Sequence, residues 1–331
     1  MTTFPTQYSL LSAHALGEYI RKQYGFEEVQ CSLLIHNVGD TYLVVVRDLK
    51  FVFKVYRDAH RSLEEIKGEL ELLILLGQGG AKVALPVADL QNELIQVFQA
   101  AEGVRHGVLF SYAQGEVVPL MNDQQLEVLG KEMAKVHSLS AVIKLSFKRK
   151  EFSIDTMLTG PLERIKPAFK RLEPEYEYLT TTARLVQDRI AGLALESFGY
   201  GYCHYDFLPK NFHFNERNEI TFFDFDFAGQ GYFVSDLASL YAHYFLLVSQ
   251  QKISQQEADR AFAVFIAAYR KVRKLSDAEL SAIPLFGFCW WIFYFGFHYD
   301  NFEDWSNFFF STRFIKERVA LIKNWVNWYG G

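Results

Sequence analysis

The feature that most constrains this chain of 331 residues is a set of polar side chains around two short segments in its second half. The first segment, His204 to Asn211, contains the carboxylate Asp206, and the apolar run 220–225 then reaches Asp224. Phosphoryl transfer to a hydroxyl requires a carboxylate beside the attacking oxygen and oxygen ligands for Mg²⁺ on the nucleotide phosphates. Mg²⁺ prefers a few hard oxygen ligands together with phosphate and water. A tight loop and an adjacent hairpin would supply this set, so the pattern favours a fold built around a phosphotransfer site.

Hydrophobic patterning divides the chain into a part rich in strands and a part rich in helices. Ser62 and Glu65 form a capping box, which opens a helix that ends near Gly77. We predict strands on both sides of this helix and a mainly helical remainder, joined at 110–115, and a cleft between two such lobes is where small-molecule sites form. The predicted N-terminal helix is 11–24, the strands are 31–36, 42–47, 51–56, 93–99, 107–112, 211–214 and 220–225, and the later helices include 124–139, 161–172 and 175–198.

The charge and cysteine content exclude several classes of protein. The chain has 34 Lys and Arg against 39 Asp and Glu, a net charge of −5, and no block of basic residues that could follow a phosphate backbone. We therefore expect no nucleic acid partner. The cysteines Cys31, Cys203 and Cys289 are too few and too scattered for a disulfide framework or a zinc site, and they indicate a reducing compartment. The N-terminus lacks a signal-peptide pattern, so a cytoplasmic location is expected.

One segment is apolar enough to suggest a membrane helix. From Leu280 to Tyr299 the chain has no Asp, Glu, Lys or Arg, which is long enough for a span. The segment also contains Pro284, Gly287 and Gly296, and it is unusually aromatic. We interpret it as a buried or pocket-lining helix and expect no membrane partner.

The order of the polar residues resembles the aminoglycoside phosphotransferase and choline kinase superfamily. The pattern H-x-D-x-x-x-x-N precedes an apolar strand that ends in D-F-D, and Asp236-Leu237-Ala238 follows. The string FFDFDFAGQGYFVSDLA is similar to the bacterial branch with homoserine kinase-like enzymes and stress response kinases. Over about residues 30–250, the resemblance implies an α+β, two-lobe protein-kinase-like fold. Its nucleotide-binding N-lobe, 1–110, would be a small antiparallel sheet, and its mainly helical C-lobe, 111–331, would hold the catalytic loop and the acceptor-binding helices.

The resemblance also implies roles for single residues and the cofactors ATP and Mg²⁺. An isolated H-x-D, or an Asp after an apolar run, is common in unrelated proteins, but the joint match in order and spacing is specific. Tyr205 departs from the family, which usually has a small glycine there, and this departure leaves the local loop shape open but not the role of the base. The implied roles are catalytic base for Asp206, Mg²⁺ ligands for Asn211 and Asp224, support of the catalytic loop for His204, and structural anchor for Asp236.

Lys54 is the candidate for the phosphate-contacting lysine. It lies within the apolar and aromatic run Phe51–Tyr56, where a lysine is costly to bury unless it is paired, although a solvated strand face would also explain it. The resemblance implies a glutamate partner on the following helix. Glu69 lies in an apolar stripe of that helix, whereas Glu65 already has the capping role, so we predict a Lys54–Glu69 pair in the ATP-bound form.

The remaining nucleotide contacts are assigned mainly by position. A polar turn with Asn37, Gly39 and Thr41 lies between two predicted strands, where backbone amides can bind phosphate oxygens, although an ordinary hairpin turn would look the same. The connection between the lobes would offer backbone groups of Ser111 and Ala113 to adenine.

We therefore predict an Mg·ATP-dependent phosphotransferase that acts on a hydroxyl of a small molecule, with an amine-bearing acceptor favoured. Aromatic rings with nearby carboxylates suit a cation, and two segments offer this combination. One contains Glu173, Glu175 and Glu177, and the other runs through Trp290–Tyr294 to Tyr299–Trp305. Alternatively, these aromatics are helical core and the acids are a solvated surface.

Two other functions are consistent with the sequence. The first is a protein serine/threonine kinase of the stress response kinase type. The second is a nucleotide-binding pseudokinase that acts as a scaffold, and the complete set of Lys54, Asp206, Asn211 and Asp224 argues against it. The sequence leaves open the identity of the acceptor, the choice between ATP and GTP, and the oligomeric state.

Overall fold

The computed structural model describes residues 4–57, 60–305 and 310–329, without the side chains of 302–305 and 329. A five-stranded antiparallel sheet forms most of the first third. Its strand order is β1-β2-β3-β5-β4, and helix α1 packs on one of its faces. The elements are α1 (Ala13–Gln23), β1 (Gln30–His36), β2 (Asp40–Val46), β3 (Leu49–Tyr56), β4 (Ile95–Ala100) and β5 (Gly103–Ser111).

Alternation along β2 explains how this sheet is packed. Tyr42, Val44 and Val46 are buried on the side of α1, while the residues between them are partly exposed. The register of β2 with β3 places Thr41 opposite Lys54, so the lysine stands on the sheet face away from α1. The sheet therefore presents Lys54 to the rest of the molecule.

Helix α2 (Leu63–Gln78) connects β3 to β4. The Ser62 hydroxyl accepts from the amide of Glu65, and the Glu65 carboxylate accepts from the amide of Ser62, so the predicted capping box is confirmed. The inner side of α2, with Ile66 and Leu70, belongs to a hydrophobic core that also includes residues of the helical part. Helix α2 is thus fixed to both parts of the molecule.

The rest of the chain is mainly helical, which confirms the predicted fold class. Long helices surround two short antiparallel strand pairs, and one π-helical turn lies at Asp155–Thr159. The helices are α3 (Asp123–Ser140), α4 (Gly160–Ile165), α5 (Glu173–Ala191), α6 (Val234–Ser249), α7 (Gln255–Arg270), α8 (Asp277–Trp305) and α9 (Thr312–Tyr329). The strand pairs are β6 (Tyr200–Cys203) with β9 (Gly229–Tyr232), and β7 (Phe212–Phe214) with β8 (Ile220–Phe222).

The strand pairs differ from the prediction in two ways. Strand β8 ends at Phe222, whereas the prediction extended it to residue 225. Asp224 has a φ of 61°, and this left-handed conformation cannot continue the hydrogen-bond ladder of a strand. The pair β6–β9 has no counterpart in the prediction. Both strands are four residues long, and β9 reads Gly-Gln-Gly-Tyr, which lacks a strand signal.

Helix α8 contains the long apolar segment. It is long and apolar enough to cross a membrane, by length and composition alone, but 72% of its apolar window is buried inside the protein. Phe288, Ile292 and Phe295 are at most 1% exposed and pack against other helices of the C-terminal part. The helix is therefore a core element of this fold.

Candidate active site

The loop after β6 is anchored by one buried carboxylate. Asp236, near the start of α6, accepts the backbone amides of His204 at 2.8 Å and Tyr205 at 2.7 Å. His137 Nε2 lies 3.0 Å from the same carboxylate, and His137 Nδ1 lies 2.7 Å from the Tyr269 hydroxyl. Asp236 and His137 are fully buried. The loop is thus held by α6, α3 and α7 together, and this geometry supports the anchoring role predicted for Asp236.

Tyr205 occupies the position where the family usually has glycine. Its φ is 63°, in the left-handed region that glycine adopts without steric cost. Its buried ring packs against Phe152, and its carbonyl accepts from Trp290 Nε1 at 3.0 Å. These contacts and the bond to Asp236 hold a conformation that costs a non-glycine residue about 1–2 kcal/mol. The tyrosine therefore keeps the loop path that a glycine would allow.

His204 supports the loop from inside. Its Nδ1 accepts from the amide of Asp206 at 3.2 Å, and its Nε2 lies 3.0 Å from the carbonyl of Phe223. This pair of bonds requires a neutral ring with the proton on Nε2. His204 thus links the segment of Asp206 to the segment just before Asp224.

Asp206 is buried, and its two carboxylate oxygens differ. Oδ2 accepts from Asn211 Nδ2 at 2.8 Å and from Lys210 Nζ at 2.7 Å. Oδ1 has no hydrogen-bond partner among the described residues. A buried carboxylate oxygen without a donor is costly. Two hydroxyl groups would each supply the donor, that of a substrate and that of Tyr294, which is also buried without a partner in hydrogen-bond geometry among the described residues. Burial, and then the Asp206 carboxylate, raise the pKa of the Tyr294 phenol well above its usual value.

Lys210 is a site residue that the sequence analysis missed. It is the fourth residue after Asp206, and only the path of the loop brings its ammonium to Asp206. Burial lowers the pKa of Lys210, but the Asp206 and Asp224 carboxylates outweigh it and leave the pKa above its usual value. The ammonium therefore stays charged between the two carboxylates.

If phosphoryl transfer takes place beside Asp206, as the sequence predicts, Lys210→Met should lower kcat by about 10- to 100-fold, because one cation beside the transferred group is lost. Steady-state kinetics with saturating nucleotide measures the effect. The matched control is Lys316→Met on the exposed side of α9, which should leave kcat unchanged. Equal kcat values for the two variants would remove Lys210 from the site.

The two acids of the D-F-D motif have different surroundings. The Asp224 side chain is 44% exposed, and its Oδ1 accepts from Lys54 Nζ at 2.6 Å. Asp226 is 11% exposed, with Oδ1 bound to Arg61 Nε at 2.9 Å and Oδ2 at 3.0 Å from His60 Nε2. Burial raises the pKa of Asp226, but Arg61, Lys54 and His60 outweigh it and hold the pKa well below its usual value. The negative charge of Asp226 is thus balanced by its cationic neighbours, whereas the Asp224 side chain is partly open to solvent.

Lys54 and Glu69 make no direct ion pair among the described residues. Lys54 pairs with Asp224, while the buried Glu69 accepts from the Tyr56 hydroxyl at 3.2 Å. Burial raises the pKa of Glu69, although the nearby Lys54 lowers it. The Lys54–Glu69 contact was predicted for the nucleotide-bound form, and it stays a prediction.

If the pair forms with bound nucleotide, Lys54→Ala and Glu69→Ala should be strongly non-additive in kcat/KM, with a coupling energy of about 1–3 kcal/mol. The double-mutant cycle measures this coupling directly. Glu64→Ala, at an exposed position of the same helix, is the matched control and should combine additively with Lys54→Ala. Additivity in both cycles would mean that Glu69 interacts with Tyr56 and not with Lys54 during turnover.

The hairpin turn between β1 and β2 is tightly constrained. The amide of Asn37 donates to the carbonyl of Gly39 at 3.0 Å, and Asn37 Oδ1 accepts from the amide of Val38 at 2.8 Å. A Cβ at Gly39 would lie 3.0 Å from the carbonyl oxygen of Val55, so the position has little room for a side chain. The side chain of Asn37 is therefore used inside the turn, which leaves backbone groups for a ligand.

The connection between the sheet and the helices has only some backbone groups available for hydrogen bonds to adenine. Ser111 exchanges backbone and side-chain hydrogen bonds with Leu85, and the carbonyl of Ala113 accepts from His213 Nδ1 at 2.7 Å. The amide of Ala113 donates to no partner within the described ranges. Of the two predicted hinge residues, Ala113 is thus the one with a free backbone donor.

The free oxygen atoms of Asn211 and Asp224 fit a hard divalent cation. Asn211 uses its Nδ2 for Asp206, which leaves its Oδ1 available, and one oxygen of Asp224 is not bound to Lys54. The described residues contain no group of three or more His, Cys, Asp or Glu that could hold a metal alone. A cation here would need phosphate and water oxygens as well, which is the coordination that Mg²⁺ prefers with nucleotides.

The predicted cationic-acceptor wall is not formed as expected. Trp290 and Trp291 are 4% and 2% exposed and lie in the core, and Trp290 supports the loop through Tyr205. Glu173 and Glu177 line a surface cavity with lysines, and that cavity contains none of the residues around Asp206. For the two tryptophans the helical-core alternative is therefore the correct one, because an aromatic segment does not by itself distinguish core from pocket. Of the predicted wall, Phe293, Asp300 and Asn301 line a cavity beside Asp226, and the side chains of Phe302, Glu303, Asp304 and Trp305 lie outside the described residues.

Comparison with known proteins identifies one matching family and several proteins of similar sequence. The model of the phosphotransferase enzyme family (APH) matches residues 36–275. An uncharacterized protein of Deinococcus radiodurans is 29% identical over 284 residues, 86% of this chain and 81% of that protein. Amicoumacin kinase of Bacillus subtilis is 26% identical over 272 residues, covering 80% of this chain and 78% of that one. Homoserine kinase of Phenylobacterium zucineum is 26% identical over 257 residues, covering 75% and 72%.

Solved structures share the fold. Amicoumacin kinase hAmiN, in complex with AMP-PNP, Ca²⁺ and Ami, has a TM-score of 0.74 at 19% identity, over 97% of this chain and 94% of that one. The microcompartment-associated aminopropanol kinase has a TM-score of 0.74 at 19% identity, over 94% and 95%. Both therefore support the same two-part architecture over nearly the whole chain.

Proposed function

This chain belongs to the phosphotransferase enzyme family, and from that premise we propose that it is an Mg·ATP-dependent kinase that phosphorylates a hydroxyl of a small molecule. The observation that carries the proposal is the buried Asp206 carboxylate, whose Oδ1 has no partner among the described residues while Oδ2 is held by Lys210 and Asn211. That arrangement leaves one oriented acceptor for the proton of an incoming hydroxyl.

Each residue then has a defined task. Asp206 Oδ1 orients the acceptor hydroxyl and takes its proton as the oxygen attacks the γ-phosphorus, and the bond to the bridging oxygen breaks to release ADP. Asp224 and Asn211 would hold Mg²⁺, which supplies positive charge to the phosphate oxygens. The ammonium group of Lys54 lies beside Asp224, and that of Lys210 lies beside Asp206. Backbone amides of the turn that contains Asn37 would bind the phosphate oxygens of ATP.

We divide the molecule into a nucleotide-binding N-lobe, 1–110, and a C-lobe, 111–331, with the catalytic loop and the acceptor helices. The end of β5 at Ser111 supports this boundary. A cytoplasmic location is part of the same proposal, and the three free cysteines are compatible with it.

A small acceptor is favoured over a protein serine. The cavity beside Asp226 has a volume of about 250 Å³ and is lined by charged and aromatic side chains. The named substrates of the relatives include aminopropanol, which has an amine and a hydroxyl. An amine on the acceptor therefore remains part of the proposal, with Asp300 as the carboxylate at the cavity.

The test is a thermal-shift assay with Mg·ATP and Mg·GTP, followed by nucleotide turnover with a panel of small hydroxyl compounds and a serine-containing protein. We expect stabilisation by Mg²⁺ with nucleotide and turnover with members of the small-molecule panel. Phosphorylation of the protein alone would favour the stress-kinase alternative. Nucleotide binding without any turnover would favour the pseudokinase scaffold.

A further inference from the structure

The carboxylate of Asp206 is closed to solvent in this structure, whereas that of Asp224 is open. The side chain of Asp206 is 2% exposed, and that of Asp224 is 44% exposed. Asp206 Oδ2 is covered by the bonds from Lys210 and Asn211, while Oδ1 is buried without a hydrogen-bond partner among the described residues. A hydroxyl from outside could therefore reach Oδ1 only after a neighbouring side chain moves.

Helix α8 packs against the loop of Asp206 through two aromatic side chains. Trp290 Nε1 donates at 3.0 Å to the carbonyl of Tyr205, the residue before Asp206. Tyr294 lies one helical turn after Trp290, and the centres of their rings are 4.6 Å apart. The ring of Tyr294 also packs against Phe227, with ring centres 5.7 Å apart. Tyr294 thus contacts both the tryptophan that holds the loop and the segment that follows the D-F-D motif.

The hydroxyl of Tyr294 is a donor suited to Asp206 Oδ1. It is buried and, like Oδ1, has no partner in hydrogen-bond geometry within the part of the chain that the structure describes. Burial, and then the Asp206 carboxylate, raise the pKa of this phenol well above its usual value. The phenol therefore stays protonated, and it can donate to a carboxylate but not accept from one. A buried donor and a buried acceptor that lie close together and are otherwise unpaired gain most by pairing with each other.

We propose that Tyr294 is a positioning residue that closes the base while no acceptor is bound: its hydroxyl donates to Asp206 Oδ1, and the acceptor hydroxyl displaces it. With the phenol in place, water cannot occupy the same position. A water molecule there would attack the γ-phosphorus and pass a proton to Asp206, and the bond to the bridging oxygen would break to release ADP and inorganic phosphate. Tyr294 thus sets the preference for an alcohol over water. The inference rests on the proposed function, because it names a specificity determinant of the same site.

The difference between an acceptor and water lies in the rest of the molecule. To expose Oδ1, the phenol must give up its bond, and its ring must change its contacts with Trp290 and Phe227. An acceptor can offset this cost with the contacts of its remaining atoms, whereas water has no other atoms to contribute. The open form is therefore favoured when an acceptor is bound and disfavoured with water alone.

The experiment measures the release of inorganic phosphate from Mg·ATP without any acceptor, in wild type, Tyr294→Phe and Tyr244→Phe. Tyr244 on α6 gives the matched control, because its buried hydroxyl also lacks a partner within the described ranges. We expect Tyr294→Phe to hydrolyse ATP about tenfold faster than wild type, because Oδ1 has lost its donor and water can supply one. Tyr244→Phe should hydrolyse ATP at the wild-type rate. Equal rates in the two variants would overturn the inference.

A double variant shows which group activates the water. The additional hydrolysis of Tyr294→Phe should disappear when Asp206→Asn is combined with it, because the asparagine cannot take the proton. Hydrolysis by the double variant at the rate of Tyr294→Phe would place the reaction away from Asp206 and overturn the inference.

The ratio of two products distinguishes this role from a merely structural one. With a hydroxyl compound that the wild type phosphorylates, the amount of inorganic phosphate per phosphorylated product should rise about tenfold in Tyr294→Phe. Loss of a structural contact would lower both rates together and leave the ratio unchanged. An unchanged ratio would therefore contradict the proposed role of Tyr294.

A spectroscopic measurement separates this inference from the proposed function. With a fluorinated tyrosine in place of Tyr294, fluorine NMR of the protein with Mg·ADP reports on the phenol without turnover. The resonance should shift in Asp206→Asn and stay in place in the surface control Asp259→Asn. That shift, without phosphorylation of any compound, would support the closed contact and contradict the kinase proposal. Phosphorylation of hydroxyl compounds with an unshifted resonance would contradict the role of Tyr294 alone, and neither shift nor phosphorylation would overturn both.

Discussion

Replacing Asp206 by Asn should remove most turnover while leaving the fold and nucleotide binding nearly unchanged. The asparagine keeps the shape of the side chain, and its oxygen can still accept from Lys210 and Asn211. Its amide nitrogen would then occupy the position of Oδ1, where it cannot take a proton from the hydroxyl. The expected loss in kcat is on the order of 10²- to 10⁴-fold, the range for general base catalysis.

Steady-state kinetics and a nucleotide titration of the same preparation test this expectation. Asp259→Asn on α7 is the matched control, because it makes the same chemical change at a surface carboxylate. A value of kcat for Asp206→Asn within a factor of a few of wild type would rule out Asp206 as the base.

The second large effect separates the two acids of the D-F-D motif. Asp224→Asn should lower kcat by about 10²- to 10³-fold and raise the Mg²⁺ concentration needed for half-maximal activity, because a charged metal ligand is lost. The melting temperature should change little, since Asp224 is half-exposed.

Asp226→Asn should give the opposite pattern. It leaves the buried Arg61 without its carboxylate, and breaking a buried pair costs about 3–5 kcal/mol of folding free energy. The melting temperature should therefore fall, while the Mg²⁺ dependence of the remaining activity stays near that of wild type. A shift of the Mg²⁺ curve in Asp226→Asn and none in Asp224→Asn would reverse the assignment.

Local signals in the sequence were sufficient for much of the fold. The capping box at Ser62 and Glu65 lies within one helical turn, and the strand that contains Lys54 is a short run rich in β-branched and aromatic residues, so both could be predicted from neighbouring residues. The family match extended this to the order of the catalytic loop and the D-F-D motif.

Contacts between distant residues could not be predicted in the same way. The partners of Asp226, His60 and Arg61, are more than 160 positions away in sequence and became visible only in the fold. The bond from Trp290 to the loop was missed for the same reason, and an aromatic in an apolar helix was assigned to a pocket instead. Lys210 is close in sequence to Asp206, but its position depends on an irregular loop, for which no periodicity exists.

The anchoring of the loop by Asp236 has a consequence for fragments of this protein. The bonds that hold Asp236 and His137 connect segments separated by 31 to 132 positions, from α3 through the loop to α7. The loop geometry is therefore a property of the assembled helices and not of the eight residues that contain the motif. A truncated chain that ends before Tyr269 would contain the whole H-x-D-x-x-x-x-N sequence and still lack the hydroxyl at the end of this chain of bonds.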